Sequence, residues 1–433
     1  MAVTTDDDPR YGGPPAAAEE REPFRLSMLL RDQRYRSITL QVLALLLFAS
    51  LIAFLGYNVS QKFEQAGKDF SFSFLFQPAS YDIRQTLIDY TSRSPHWKAA
   101  VVGILNTFVV AILGIITATL LGVLAGVARL STNWLVARIM TVYVEIFRNV
   151  PLLIWLLIMI TVSVSVFPLP RNSWSLGGLL ETIVYYATFG AVGGGEERLF
   201  PPLIAFTNRG IRVVGPVFEE GSGWVVLAFL AALVGAWFVR RYARREQART
   251  GRIIPWVKIG LLLVIGVTLA AYYLAGQPIS ADPVVAGRFN LTGGIDISVS
   301  LFALWIGLSL YTGAFIAEIV RGGILAVSTG QREAAAALGL QPKRIMNLVI
   351  LPQALRVIIP PLISQYLNLI KNSSLAIVTG YFDITGTLGG ITLNQTGREM
   401  ESLLLVMLFY LLVSLTLSAI LNAYNSRVVL RER

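Results

Sequence analysis

The chain reads as an all-α, polytopic membrane protein with about eight transmembrane helices, and three observations carry that reading. Of its 433 residues, 55% are hydrophobic and only 14% charged, with a mean hydropathy of +0.63. A soluble fold of this length cannot hide so much apolar surface, so the bilayer must be the solvent for most of it. The apolar residues are gathered into eight runs, at 38–59, 101–129, 151–167, 224–239, 256–275, 298–320, 358–379 and 403–422, each near the length a bilayer requires. Most of the 36 Lys and Arg fall in alternate connecting segments, the asymmetry that fixes orientation in a membrane.

Residues 1–36, rich in Asp, Pro, Ala and Glu, form a disordered or amphipathic leader. The first run, in 37–60, starts too late and is too long for a signal-peptide core, so it is a retained anchor. In the second, Gly114, Gly122 and Gly126 permit close helix approach and Thr117 and Thr119 can bond across helices. A packing core or a pore wall would use the same residues. The third run opens at Pro151, which predicts a defined kink after Asn149. Residues 179–190 are apolar but interrupted by Glu181 and followed by Gly193-Gly194-Gly195-Glu196-Glu197, which predicts a surface or re-entrant helix. The fourth and fifth runs are separated by a basic loop at 240–252. The Lys and Arg bias places both termini and the segment around Glu333 in the cytoplasm. The net charge of +10 then reflects topology and anionic membrane lipid, and requires no nucleic acid.

Cysteine is absent and His96, beside Pro95 and Trp97 in a predicted loop, is the single histidine. Disulfides, thiolate zinc sites and thiol catalysis are thereby excluded, and neither a metal site nor a catalytic triad is predicted. A phosphate-binding Gly-rich loop is also missing: Gly67-Lys68 is followed by Asp69 and lacks the preceding glycines. No catalytic residue is assigned, and the chain is read as a non-enzyme without a cofactor of its own.

The most distinctive segment is 328–352, a water-compatible helical hairpin between two apolar runs. Ser328 and Gln331 have capping-box spacing, and residues 333–338 are helix formers with a small Ala face. Gly339 stands where a left-handed cap is expected and Pro342 suits the first turn of a second helix, which Pro352 would follow. A cytoplasmic methyl-lined surface with a charged rim, Arg332 and Glu333, is suited to a partner.

Ionisable residues within or beside the runs are the other candidates. Lys371 falls near the middle of the seventh, where an ammonium is costly unless wet or paired. Either it faces a translocation path and meets a substrate carboxylate, with Asn372, Ser373 and Ser374 as neutral partners, or it pairs with a carboxylate and holds helices together. Glu145 with Arg148, and Glu318 with Arg321, are each three apart and can form same-face ion pairs, either structural or as exchanging pairs of a gate.

The pattern Glu333-Ala334-Ala335, then Gly339, then Val349-x-Leu351-Pro352 resembles the EAA loop of importer permeases in the ATP-binding-cassette superfamily, with Val349 replacing the usual Ile. Glu318-Ile-Val-Arg-Gly-Gly-Ile, Pro352-Gln-Ala-Leu-Arg, Lys371-Asn-Ser-Ser-Leu and Arg148-Asn-Val-Pro-Leu-Leu are similar to the branch importing polar amino acids. The resemblance implies a type I importer permease fold with extra spans, a transmembrane domain over 100–425, interrupted by an insertion at 168–297, and similarity to the longer general or glutamate-type permeases. It further implies a bacterial inner-membrane location, a separate ATPase that uses the ATP and contacts Arg332, Glu333, Ala334, Ala335, Gly339, Leu351 and Pro352, a periplasmic amino-acid-binding protein, and a homologous second permease chain. The competing reading is an ATP-independent secondary transporter or channel, which predicts matched internal halves. The hairpin occurs once.

Overall fold

A computed structural model describes residues 33–65, 67, 69–177, 203–286 and 290–428. The predicted leader lies almost wholly, and the predicted helix at 179–190 wholly, outside the described residues. Two units are distinguished. In the first, helix α1 (Gln33–Gln65) is long and apolar enough to cross a membrane.

The second unit, from Phe72 onward, is built around α7 (Val299–Leu325). Against it pack α2 (His96–Ala128), α3 (Trp134–Asn149), α4 (Leu152–Val166) and, later in the chain, α10 (Leu351–Asn372). The approach of α2 to α7 is closest at Gly122 and Gly126. A Cβ on Gly122 would lie 2.5 Å from the Ile316 side chain, and one on Gly126 would lie 2.6 Å from the Ala317 carbonyl. Thr117 Oγ1 lies 2.5 Å from Ser309 Oγ and accepts from Trp305 Nε1 at 3.0 Å, while Thr119 Oγ1 meets Tyr366 hydroxyl at 2.8 Å. The small residues and hydroxyls thus form helix–helix contacts, as the packing reading expected.

Seven helices among the described residues are long and apolar enough to span, and a bent pair can supply an eighth. The second member of that pair is the third apolar run: α3 and α4 meet at 109°, with Val150 extended ahead of Pro151. Proline disfavours a helical residue before it, which accounts for the break. The sequence reading missed α3, an amphipathic helix whose Asn133 cap accepts from Leu135 and Val136.

The fourth and fifth runs form a helical hairpin, α5 (Ser222–Thr250) and α6 (Trp256–Leu274), that packs chiefly on itself. Most of the predicted basic loop is a continuation of α5, which ends only at Gly251 in a left-handed conformation (φ +72°). The hairpin is framed by short strands that the all-helical reading did not foresee. Strands β1 (Trp174–Ser175), β2 (Ile204–Thr207), β3 (Gly210–Val213) and β8 (Ile295–Ser298) make an antiparallel sheet in the order β1-β2-β3-β8. Strands β4 (Gly215–Phe218) and β5 (Ile279–Asp282) pair across the root of the hairpin, and β6 (Val285–Ala286) pairs with β7 (Leu291–Thr292). Runs of four residues or fewer give too little alternation to be read from sequence.

Strand β8 delivers the chain to α7 through Ser298, whose hydroxyl accepts from Leu301 N at 3.2 Å. Arg84 and Arg212 flank Asp296 at this end, which we call the Asp296 face; the opposite end is the Glu333 face. His96 is the first residue of α2, not a loop residue, and is buried with Nδ1 3.0 Å from Thr392 Oγ1. Beyond α10, the chain turns through short helices α11 (Ala376–Thr379), α12 (Ile384–Gly386) and α13 (Leu393–Thr396) before α14 (Glu399–Val428). This turn is bonded to α2: Asn106 Nδ2 donates to the Phe382 carbonyl at 2.9 Å and Ile384 N donates to Thr107 Oγ1 at 3.2 Å. Asp383 is fully buried here, accepting from Gly386 N at 2.8 Å and from Tyr410 hydroxyl at 3.2 Å. Burial pushes its carboxyl up to about 6, against the lowering effect of those bonds.

Candidate functional site

The Glu333 face carries the hairpin predicted at 328–352. Helix α8 (Thr329–Ala337) begins after Ser328 and ends in a left-handed turn. Gly339 has φ +76°, its N–H donates to Ala336 O at 2.9 Å, and Leu340 N–H donates to Ala335 O at 3.3 Å. These two bonds form a Schellman cap. A Cβ at Gly339 would meet nothing within 4 Å, so the backbone angle alone demands glycine. Pro342 opens α9 (Pro342–Ile345) as predicted.

Two details differ from expectation. The Ser328 side chain makes no cap hydrogen bond, and Gln331 points instead toward Gln353, whose Nε2 donates to Gln331 Oε1 at 3.5 Å. The capping box is replaced by a contact between the two arms of the hairpin. Nor does Pro352 lie beyond the second helix. Helix α9 continues through a π turn at Met346–Ile350 into α10, so Pro352 stands in the first turn of α10 within one continuous helical segment. Proline cannot donate to the carbonyl four residues back and its ring crowds that group; here that residue is Leu348, inside the widened turn.

Ala335 is the buried face of α8, packed with Val327, Ile345, Ile350 and Ala354 in one cluster with the ends of α7 and α10. Arg332, Glu333 and Ala334 are exposed, as are Leu351 and Pro352. Leu338 is 82% and Leu348 65% exposed. Among the described residues neither Arg332 nor Glu333 has a salt-bridge partner. The hairpin is therefore a knuckle anchored by Ala335, Ile345 and Ile350, offering methyl groups, two leucines and a charged rim outward.

Two to three turns before α8, near the end of α7, the predicted gate residues converge in a single network. Glu318 and Arg321 pair as predicted, Arg321 Nη2 lying 2.5 Å from Glu318 Oε1. Glu145 and Arg148 do not pair with each other. Arg148 Nη1 reaches Glu318 Oε2 at 3.7 Å, and Glu145 Oε1 lies 3.9 Å from Arg129 Nη2. The bend after α3 turns this helix toward α7, so partners across helices prevail over the i,i+3 partner. Arg129 is the residue that sequence reasoning missed. Its side chain is only 8% exposed and also bonds Glu318, so it bridges both carboxylates. The available signal was its position as the first charge after the second apolar run. Two carboxylates and three guanidiniums here cross-link α2, α3 and α7, and Arg148 also lies over the Phe315 ring.

The Lys371 group is divided. Lys371 is exposed on α10, without a salt bridge among the described residues, and Asn372 and Ser374 are partly exposed. Ser373 is fully buried, and its hydroxyl donates to Ile370 O at 2.7 Å. It caps its own helix and does not share the Lys371 surface. Later in the chain, Ile377, Phe382, Gly386, Gly390 and Asn394 line an open cavity of about 400 Å³, to which none of the Lys371 group contributes. No group of three or more His, Asp or Glu suited to a metal occurs among the described residues.

Residues 118–431 match the family described as binding-protein-dependent transport system inner membrane component. Relatives extend over nearly the whole chain. The glutamate/glutamine/aspartate/asparagine transport system permease BztB of Rhodobacter capsulatus is 48% identical over 95% of this chain and 97% of its own length. The general L-amino acid transport system permease AapQ of Rhizobium johnstonii is 40% identical over 95% and 96%. The putative amino-acid ABC transporter permease YhdX of Escherichia coli is 37% identical over 96% and 100%. The chain belongs to this family of multi-pass membrane components of binding-protein-dependent transport systems.

Proposed function

We propose that the chain is the permease subunit of an ATP-driven importer of polar L-amino acids in the bacterial inner membrane. Three long relatives carry amino acid transport in their names, and the exposed knuckle at 328–352 is the observation that carries the coupling role. A separate ATPase subunit supplies and uses the ATP, so no cofactor or catalytic residue is assigned to this chain. The α8 surface seats in a groove of that ATPase, with Arg332 and Glu333 orienting it. The Schellman turn at Gly339 and the junction at Leu351 and Pro352 pass its movement to α7 and α10.

The positive-inside bias supports both termini and the Glu333 face being cytoplasmic. Residues 100–425 then form the transport domain and 168–297 an insertion, whose strands lie on the periplasmic side where an amino-acid-binding protein delivers substrate. Two ATPase subunits need two knuckles and this chain carries one, so it pairs with a homologous permease chain as a heterodimer. The network of Glu145, Arg148, Glu318, Arg321 and Arg129 is an inner gate whose pairs exchange between states. Lys371, with Asn372 and Ser374, faces the path and meets the substrate carboxylate; Ser373 supports the helix end behind it.

The test is amino acid uptake into proteoliposomes holding the full complex. Glu333→Lys and Gly339→Pro are expected to abolish ATP-dependent uptake while the permease still inserts. Normal uptake by both variants, or uptake by the permease without any ATPase, sinks the coupling reading and favours a secondary transporter.

A further inference from the structure

The α5–α6 hairpin ends in a concentration of positive charge that the transport reading does not use. Helix α5 continues from Val239 to Thr250, about 16 Å beyond the apolar run at the usual rise per residue. Along that extension stand Arg240, Arg241, Arg244, Arg245 and Arg249, all exposed, against one acid, Glu246. Helical periodicity turns Arg241, Arg244, Arg245 and Arg249 away from the face on which Ala232 and Ala243 are buried, while Arg240 lies toward α6.

Three further features define the surroundings. Arg240 lies over the Trp256 ring at 5.2 Å from its centroid, and Arg241 over Trp237 at 5.3 Å. Indoles favour the headgroup level of a bilayer, so they mark the depth at which these guanidiniums stand. Among the described residues none of the five arginines has a salt bridge, and the side chain of Glu246 is engaged by Thr250 hydroxyl at 3.4 Å. Finally, the two arms of the hairpin are fastened to each other at the opposite end, by the β4–β5 pairing and by Glu219 N–H donating to Pro278 O at 2.9 Å. Among the described residues its basic end has no comparable backbone pairing.

We propose that the basic end of α5 is a binding site for anionic glycerophospholipid headgroups, which fasten the free end of the hairpin to the inner leaflet. The charge complementarity is direct. Guanidiniums without carboxylate partners, held at headgroup depth by indoles, match phosphodiester oxygens by paired N–H bonds. A zwitterionic headgroup brings its own ammonium and gains little. The bound lipid becomes the partner that the protein itself does not provide at this end.

The test uses the full-length protein, purified in detergent and exchanged against equimolar phosphatidylglycerol and phosphatidylcholine, with retained lipid counted by native mass spectrometry. Wild type is expected to retain phosphatidylglycerol preferentially. The triple substitution Arg241→Gln, Arg244→Gln, Arg245→Gln is expected to lower that preference by about tenfold or more. Raising salt from about 0.1 M to about 1 M should weaken it in wild type far more than in the variant. Thermal unfolding in phosphatidylcholine alone, unchanged between the two proteins, shows that the variant is folded. Equal retention of both lipids by wild type overturns the proposal, as does a preference that survives the triple substitution. Loss of a bound protein subunit from the variant, with lipid preference intact, assigns the surface to a protein and overturns it equally.

Discussion

Helices α7 and α5 are both long and apolar enough to cross a membrane, yet they live in different surroundings. Of the most apolar stretch of α7, 56% is buried within the chain, against 11% for α5 and 6% for α6. Apolarity selects both as membrane helices, because lipid and protein interior are equally apolar environments for such side chains. What separates them is the distribution of small and polar residues. The α2–α7 seam has Gly122 and Gly126 in backbone-close contact and hydroxyl pairs at Thr117–Ser309. In the hairpin, Gly266 has open space where a Cβ would stand. Charge follows the same division: arginines of the core are paired with Glu145 and Glu318, while those of α5 face outward.

The sharpest way to break this comparison is a matched pair of alanines. Gly122→Ala forces a methyl carbon against Ile316 and the Gly313 carbonyl, 2.5 and 2.8 Å away, and is expected to cost about 3 kcal/mol or prevent assembly. Gly266→Ala should stay within about 0.5 kcal/mol of wild type. Equal effects in denaturant unfolding would erase the distinction between seam and hairpin. Next in size is a pH effect confined to the core. Asp383 has its carboxyl raised from the ordinary 3.8 to about 6, so the fold favours its protonated form. Its contribution is fully present below pH 4 and is lost as pH rises through 6. Asp383→Asn is therefore expected to raise stability at pH 7.5 by about 2 kcal/mol and to flatten the pH 4–7 melting profile; an unchanged slope would refute the assignment. The third, of similar size, concerns the ion network. Arg129→Gln should destabilise by about 2 kcal/mol, because two carboxylates lose their shared cation, and adding Glu318→Gln should recover part of that loss. Arg245→Gln, exposed and unpaired, should leave unfolding in zwitterionic detergent unchanged. A neutral result for Arg129→Gln would show the network to be a surface arrangement with little weight.

Much of this architecture was legible because its signals are local. Apolar run length, the Pro151 break, the left-handed cap at Gly339 and the proline opening α9 depend on the nearest few residues. The knuckle could be read in outline, apart from the Ser328 hydroxyl, which the cross-arm contact from Gln353 leaves unused, and Pro352, which lies inside the continued helix and does not follow it. Features set by distant partners were not legible. Glu145 and Arg148 have ideal spacing for each other, and only the path of the chain after α3 brings Arg129 and Glu318 nearer. The strands at 174–298 are too short for a periodic signal, and the pairs β1–β2, β3–β8 and β4–β5 close over long stretches of chain. For α5, the apolar run ended at Val239 but the helix did not, since arginines are good helix formers once no lipid has to be faced.

The π turn at Met346–Ile350 has a mechanical meaning. It holds one residue more than an ordinary turn in a segment that is otherwise unbroken from Pro342 to Asn372. Sliding that surplus residue along the helix would swing the side chains it passes by about 100° with almost no change in length. A torque at one end of this segment would in this way emerge as a change in which side chains α10 turns toward its neighbours, with the helix itself neither tilting far nor melting.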